Sequence, residues 1–325
     1  MVKKWNTSKS YWKVTPYFTQ YNCYSGKGFQ EKGGLMSIKK KILIATGVVV
    51  LMLTILAFGT IDYDVSTNLV NKDSAFGEFF NRHGEFPVGL ALLIGTAVLF
   101  GTRKKEKVLN NVFGYIIAVP FMFLSSFFIG FMPFNYAYEH VEGGMPSGMF
   151  NLAIAICVII FIVTLVVVKK LGEERLMKYR KIAILFILLG ISSVVVVNVI
   201  KIFWGRPRMR SISSIEQFKY WYEINGPTFD NELKSFPSGH TANGFLMVAL
   251  SYLMPSKLWR NRFMIFGIAW GSCVALSRVV LGAHFLSDVI VGGYVTIVVM
   301  FILEYFLLKN NELNRSKYAP KSDVG

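Results

Sequence analysis

The sequence predicts an all-α protein, a polytopic transmembrane bundle of about eight helices. The 325-residue chain is 53% hydrophobic and only 17% charged, whereas a soluble domain of this length would carry more charge. Its apolar residues form several long runs, and about 20 consecutive apolar residues cross a bilayer as a helix. The net charge of +16 is typical of membrane proteins that retain Lys and Arg on the cytoplasmic side, so we predict no nucleic-acid partner.

Eight apolar runs define the predicted helices, and the second and sixth runs are the shortest. In chain order they are Ile42–Ile61, Phe86–Gly101, Val112–Phe134, Phe150–Val168, Ile182–Phe203, Pro237–Leu253, Phe263–Leu281 and Phe285–Leu308. The first four runs, within residues 42–168, contain no motif that we can name.

Charges in the connecting loops predict the orientation of the bundle. Clusters of Lys and Arg precede the first run and follow the second, fourth, sixth and eighth runs. If all eight runs span, these clusters lie on one side, which the positive-inside bias makes cytoplasmic together with both termini. One predicted outer loop departs from this bias because it carries Arg206, Arg208 and Arg210. Arginines placed against the bias are candidates for function.

Both ends of the chain are predicted to be cytoplasmic tails, residues 1–41 and 309–325. We also predict that translation begins at Met36, so that residues 1–35 are not part of the native protein. The preceding Lys32-Gly33-Gly34 can be encoded by a ribosome-binding sequence, and an apolar helix follows Met36 closely. Residues 1–35 have no apolar segment or cleavage pattern of a signal peptide.

Three polar clusters fall at the outer ends of the last four runs. They are Lys201 with Arg208, then Ser238-Gly239-His240, and then Arg278 with His284 and Asp288. Fixed cations such as Lys201, Arg208 and Arg278 stabilise the charge of a phosphoryl group in its transition state. Ser238 and Gly239 stand where a helix begins, and the free N–H groups of a helix N-terminus bind anions.

The third cluster has the spacing of a paired histidine and carboxylate. His284 and Asp288 are four residues apart, which places them on one face of a helix. A carboxylate bonded to one ring nitrogen leaves the other free to act as a nucleophile. His240 is then the candidate general acid that protonates the leaving alkoxide. No spacing typical of metal ligands occurs, so we predict neither a metal nor another cofactor.

Taken in order, the clusters form a known signature. They read Lys201-x6-Arg208, Pro237-Ser238-Gly239-His240 and Ser277-Arg278-x5-His284-x3-Asp288. This pattern resembles the type 2 phosphatidic acid phosphatase superfamily, and the resemblance covers roughly residues 182–308. It implies a helical catalytic core there, with the residue roles given above. Met209 stands where the family usually has Pro, a difference that we expect to affect loop geometry more than chemistry.

The resemblance implies a membrane phosphatase that hydrolyses lipid-linked phosphomonoesters or diphosphates at the outer face of the cell membrane, through a phosphohistidine. Its partners would be the lipid phosphate and the bilayer, and the oligomeric state stays open. One alternative is a lipid phosphotransferase with the same fold. An anion transporter is a weaker alternative because transporters place their sites near the bilayer midplane. Vanadate-dependent haloperoxidases share the signature, but eight spans argue against them. Phosphatidic acid, phosphatidylglycerol phosphate and undecaprenyl diphosphate all remain open as substrates.

Overall fold

The computed structural model describes residues 38–309 except 104–105 and 140, and the regular secondary structure of this part of the chain is all helical, with no β-strand. The predicted fold class, an all-α bundle with membrane-spanning helices, is confirmed. The predicted translation start and most of both predicted tails lie outside the described residues.

Eleven α-helices account for most of the described residues. They are α1 (Ile38–Leu56), α2 (Ile61–Asn68), α3 (Ala75–His83), α4 (Phe86–Gly101), α5 (Val108–Phe113), α6 (Val119–Tyr138), α7 (Ser147–Met177), α8 (Arg180–Trp204), α9 (Gly239–Phe245), α10 (Lys257–Val280) and α11 (Leu286–Glu304). Two π-helical turns extend this set, Gly114–Ala118 before α6 and Tyr305–Lys309 after α11. Short 3₁₀ turns occur in the α8–α9 loop at Met209–Ser211, Ile215–Gln217 and Asn231–Leu233.

Six helical stretches of the described chain are long and apolar enough to cross a membrane. They are Ala75–Gly101, Gly114–Tyr138, Ser147–Met177, Arg180–Ser211, Lys257–Val280 and Leu286–Leu308. Helices α1 and α2 make a seventh if they are counted as one span, although they are bent by 89° relative to each other. The protein is therefore a membrane protein. Helices occur at all eight predicted runs, but fewer than eight spans meet the criterion in the described residues, because the sixth run is not among the six long helices.

The sixth predicted run has an unusual form. Seven α-helical residues, α9, continue as a 3₁₀ helix of eight residues, Leu246–Leu253. A 3₁₀ helix rises about 2.0 Å per residue against about 1.5 Å in an α-helix, so the whole run is roughly 26 Å long. The 3₁₀ segment packs tightly against α10, where a side chain on Gly267 would collide with the backbone of Val248.

The core of the bundle joins helices from both halves of the chain. Leu185, Phe186 and Leu189 of α8 are fully buried in one cluster with Val88 of α4 and Leu246 after α9. This burial of apolar side chains holds α4 against the helices that carry the three polar clusters.

The early helices also cover the end of the bundle at which the polar clusters lie. The ring of Phe80 on α3 lies 5.2 Å from that of Trp270 on α10. Gly77 of α3 faces Leu281 so closely that a Cβ there would lie 2.8 Å from the leucine side chain. Helices α2 and α3 are therefore placed beside the ends of α10 and α11, where the third polar cluster lies.

Candidate active site

His284 and Asp288 make the contact that their spacing predicts. His284 lies in the turn between α10 and α11, and Gly282 with φ +71° provides the left-handed conformation that this turn requires. The Nδ1 atom of His284 is 3.3 Å from Oδ2 of Asp288. The same carboxylate oxygen accepts hydrogen bonds from Ser235 Oγ at 2.6 Å and from the backbone N–H of Phe285 at 3.0 Å. The Nε2 atom of His284 is therefore the ring nitrogen that points away from the carboxylate.

The environment of His284 favours a neutral ring. Burial, together with the nearby charges of Lys201 and Arg208, lowers the pKa of His284 well below its usual value despite the opposing effect of Asp288. A neutral imidazole has a lone pair on one nitrogen, which a nucleophile requires.

A buried ion network holds Asp288 from its other side. Arg206 is fully buried, and its Nη1 donates to Asp288 Oδ1 at 2.6 Å and to Ser287 Oγ at 2.7 Å. Its Nη2 donates to Oδ2 of Asp62 on α2 at 2.9 Å. The guanidinium also lies 4.4 Å from the ring centre of Phe285. Sequence reasoning marked Arg206 only as one of three arginines in an outer loop, and the structure places it behind the carboxylate.

Two cations lie in the loop and helix that precede α9. Lys201, near the end of α8, donates from Nζ to the backbone carbonyl of Lys234 at 3.0 Å. Its Nζ would lie 4.0 Å from a Cβ on Gly239, so the glycine leaves open space beside the ammonium group. Arg208 donates from Nε to the carbonyl of Asn231 at 2.9 Å.

The third cation, Arg278, is buried at the end of α10. Its Nη1 donates to the side-chain oxygen of Asn81 on α3. Its Nε is buried and has no hydrogen-bond partner in the part of the chain that the structure describes. A buried donor of this kind is expected to find a partner, and a bound anion would supply one.

The second cluster is tied directly to the third. Ser238 caps α9, because its Oγ accepts from the N–H of Thr241 at 3.4 Å and from the hydroxyl of Thr241 at 3.0 Å. Its own N–H donates to the backbone carbonyl of Asp288 at 2.9 Å. A side chain on Gly292 of α11 would collide with the Ser238 carbonyl. The start of α9 therefore lies against the first turns of α11.

His240 has a carboxylate neighbour that sequence reasoning missed. Its Nδ1 is 3.6 Å from Oε1 of Glu85, the residue that precedes α4. Glu85 also accepts hydrogen bonds from the Tyr136 hydroxyl at 2.6 Å and from Asn243 Nδ2 at 2.8 Å. The Nε2 atom of His240 is buried and unpaired within the described residues. In the sequence Glu85 is one of several acidic residues before the second apolar run, and only its position directly before that run sets it apart.

A cavity of about 490 Å³ opens at this site. Five of the eight candidate residues line its polar end, namely Lys201, Arg208, Gly239, His240 and His284. Its remaining wall is mostly apolar and comes from α4, α6 and α8, including Val88, Leu92, Phe121, Leu124, Phe128, Val194 and Val197. Ser238, Arg278 and Asp288 do not line the cavity, but Asp288 lies 3.3 Å from His284, which does, and Ser238 directly precedes Gly239 in the chain.

The departure from the signature at Met209 has a local explanation. Arg208 adopts φ −73° and ψ 150°, the extended conformation that a residue before proline prefers. Met209 is buried against Phe218 and Phe285. An apolar contact therefore holds the loop where the family usually has a proline.

Comparison with known proteins agrees with this arrangement. Residues 180–312 match the family model of the PAP2 superfamily. The match covers less than half of the chain. It begins with α8 and continues beyond α11, so it contains all eight candidate residues. Three residues before the matched region contact its members: Asp62 of α2 contacts Arg206, Asn81 of α3 contacts Arg278, and Glu85, just before α4, contacts His240.

Individual relatives match over shorter stretches. The chain is 26% identical over 151 residues to sphingosine-1-phosphate phosphatase 1 of Mus musculus, which covers 45% of this chain and 32% of that protein. It is 36% identical over 87 residues to phosphatidylglycerophosphatase B of Haemophilus influenzae, which covers 25% of this chain and 36% of that protein. The chain thus spans about a third of the length of these curated relatives. No solved structure matches.

Proposed function

We propose that this protein is a membrane phosphatase that hydrolyses phosphate esters of lipids through a phosphohistidine on His284. The main support is one juxtaposition: His284, held at Nδ1 by Asp288, lies on a cavity wall together with Lys201, Arg208 and His240. The match to the PAP2 family model and the two relatives, whose names denote phosphatases of phosphorylated lipids, support the same activity.

The reaction would proceed in two steps. Nε2 of His284 attacks phosphorus while the bond from phosphorus to the lipid oxygen breaks, and His240 donates a proton to that oxygen. Water then attacks the phosphohistidine, His240 accepts its proton, and inorganic phosphate leaves. Lys201, Arg208 and Arg278 would balance the charge on the equatorial oxygens, which is the part that metal ions play in many phosphoryl transfers.

The shape of the cavity supports a lipid substrate. Its polar end contains the candidate residues, and its apolar wall includes Phe121, Leu124 and Val194, whose side chains are exposed on the outside of the bundle. An acyl chain on this wall would stay in contact with the bilayer while its phosphate reaches His284. A small soluble phosphate ester would leave the apolar wall uncovered.

Phosphate release from the purified full-length chain tests the activity. The panel would contain phosphatidic acid, phosphatidylglycerol phosphate, sphingosine 1-phosphate and undecaprenyl diphosphate in detergent micelles. We expect release of inorganic phosphate from at least one lipid and trapping of ³²P on the wild-type chain but not on His284→Ala. A new phosphoester in place of free phosphate would instead indicate a lipid phosphotransferase.

Metal independence needs its own measurement in the same assay. We expect activity to survive EDTA and to be inhibited by vanadate, because vanadate resembles the phosphoryl transition state. Complete loss in EDTA that magnesium restores would contradict the proposed mechanism.

The proposal also places the site at the outer face, with both termini in the cytoplasm. All three clusters lie at one end of antiparallel helices, and basic residues such as Lys257 and Arg180 begin helices at the other end. A cysteine at the exposed Ser213, in a chain without its native cysteines, should react with an impermeant thiol reagent in intact cells. Labelling only after the membrane is opened would reverse the orientation.

A further inference from the structure

The cavity wall includes the carboxylate of Glu85, to which the reaction steps above assign no role. We propose that Glu85 is a positioning residue that orients His240 as the general acid and favours its protonated form. This inference rests on the proposed phosphatase function. If the inference is right, the catalytic site depends on a residue just before α4, which lies outside the region that matches the PAP2 family model.

The contacts of Glu85 fix its carboxylate in one place. Oε2 accepts from the Tyr136 hydroxyl of α6 at 2.6 Å, and Oε1 accepts from Asn243 of α9 at 2.8 Å. The Glu85 side chain is only 13% exposed. A carboxylate withdrawn from water is costly unless a positive partner compensates it. Both of these donors are neutral, and His240 is the ionisable group that completes the arrangement at 3.6 Å.

The other charges around His240 make this carboxylate necessary. Burial is the main cause that lowers the pKa of His240, and Arg278 from α10, Lys201 from α8 and Arg208 from the following loop lower it further, whereas Glu85 raises it. Tyr136 contributes a neutral ring at 5.2 Å. Without Glu85, burial and the three cations would act on His240 with no opposing charge, and the protonated ring would be less stable still.

The geometry leaves the reactive nitrogen available. Glu85 faces Nδ1, while Nε2 is buried without a hydrogen-bond partner among the described residues, on a residue that lines the cavity. A distance of 3.6 Å is longer than a hydrogen bond, and catalytic contacts are often long before substrate binds. A shift of about half an ångström would close it.

The variant Glu85→Gln removes the charge and keeps the size of the side chain. Two substrates with the same alkyl tail would be compared, an alkyl phosphate and a derivative with a nitrophenol leaving group. We expect kcat to fall about 10- to 100-fold for the alkyl phosphate and at most a few-fold for the nitrophenyl ester, which needs less protonation. The alkaline limb of the pH profile of kcat/KM should move to lower pH, because the protonated ring of His240 is less stable without the carboxylate. Equal losses on both substrates with an unchanged alkaline limb would overturn the proposal.

Three further variants separate positioning from folding. Glu78→Gln, on α3, alters an acid that pairs with Arg82 and should leave both substrates and the pH profile unchanged. Glu85→Asp retains the charge and should restore part of the rate on the alkyl phosphate, which gives a second reading if Glu85→Gln folds poorly. In the His240→Ala background, Glu85→Gln should cause no additional loss. An additional loss there would contradict action through His240.

The same experiment distinguishes this inference from the function on which it rests. If the wild-type chain releases no phosphate, or if His284→Ala retains activity, the proposed phosphatase mechanism fails. If both behave as proposed and Glu85→Gln matches the wild type on both substrates, only the role of Glu85 fails.

Discussion

The two histidines of the site are each paired with a carboxylate at Nδ1, but the two pairs differ in their surroundings. Asp288 has its charge balanced by Arg206 at 2.6 Å and lies 3.3 Å from His284. Glu85 is held by the neutral donors Tyr136 and Asn243 and lies 3.6 Å from His240. A carboxylate balanced by arginine orients a ring without strongly favouring its protonation, whereas one held by neutral donors favours the charged ring. Burial lowers the pKa of both rings, and the comparison separates a carboxylate that orients the proposed nucleophile from one that supports the proposed general acid.

The largest expected effect comes from removing the first ring. His284→Ala should lower kcat by about 10⁴-fold or more, because loss of a nucleophile removes the covalent step altogether. His83→Ala is the control, since His83 packs against Phe79 on α3 and should leave the rate unchanged. Phosphate release in micelles measures both, and a near-normal rate for His284→Ala would exclude a phosphohistidine at this position.

The next effect separates the two carboxylates. Asp288→Asn should lower kcat by about 10³- to 10⁴-fold for good and poor leaving groups alike, because the wrong tautomer of His284 affects every substrate. Glu85→Gln should lower the rate mainly for poor leaving groups. The ratio of the rates for nitrophenyl and alkyl phosphates therefore distinguishes the two variants. Asp73→Asn alters an exposed acid and serves as control. A strong leaving-group dependence for Asp288→Asn would mean that the two pairs share one role.

The same contrast explains what could be predicted from the sequence. The His284–Asp288 contact lies within one turn of a helix, so its spacing predicts it directly. The contact between His240 and Glu85 joins α9 to the start of α4 through tertiary packing, and in the sequence Glu85 resembles any loop acid. Asp62 was missed for the same reason. Apolar runs predicted the positions of the helices, but the 3₁₀ form of Leu246–Leu253 depends on its packing against α10.

A smaller effect is expected one layer further from the reaction, at Asp62. Its Oδ2 accepts from Arg206 at 2.9 Å and from the Ser287 hydroxyl at 2.5 Å, all within a buried network. Removing one partner of a buried ion pair typically costs about 3–5 kcal/mol, so Asp62→Asn should lower the thermal unfolding temperature in detergent. It should also reduce kcat moderately, because Arg206 would lose one of the two carboxylates that hold it.

The control for this prediction lies on the same helix. Asp64 is exposed and accepts a hydrogen bond from Thr60 at 2.6 Å, so Asp64→Asn should have little effect on unfolding. Equal unfolding temperatures for the two variants would show that the buried network does not contribute to stability.

The smallest effect is expected at an exposed ion pair in the loop that carries Arg208. Glu232 accepts from Arg210 Nη2 at 2.6 Å and from Ser211, and these bonds lower the pKa of Glu232 to about 2. Because the folded-state pKa lies below the unfolded value of about 4.3, the pair stabilises the loop above that pH. The contribution is lost as the pH falls towards 2. Both side chains are more than 40% exposed, so solvent screening limits the effect to about 1 kcal/mol or less.

Amide hydrogen exchange in this loop measures that contribution directly. Glu232→Gln should exchange slightly faster than wild type around Arg208 at pH 7, and the difference should shrink in high salt because exposed charges are screened. Glu216→Gln, in the same loop and away from Arg210, should exchange like the wild type. Since the carbonyl of Glu232 accepts from the N–H of Arg208 at 2.8 Å, a looser loop should also raise KM for the lipid a few-fold while kcat changes little. A difference in exchange that is unaffected by salt would show that the pair acts through packing rather than charge.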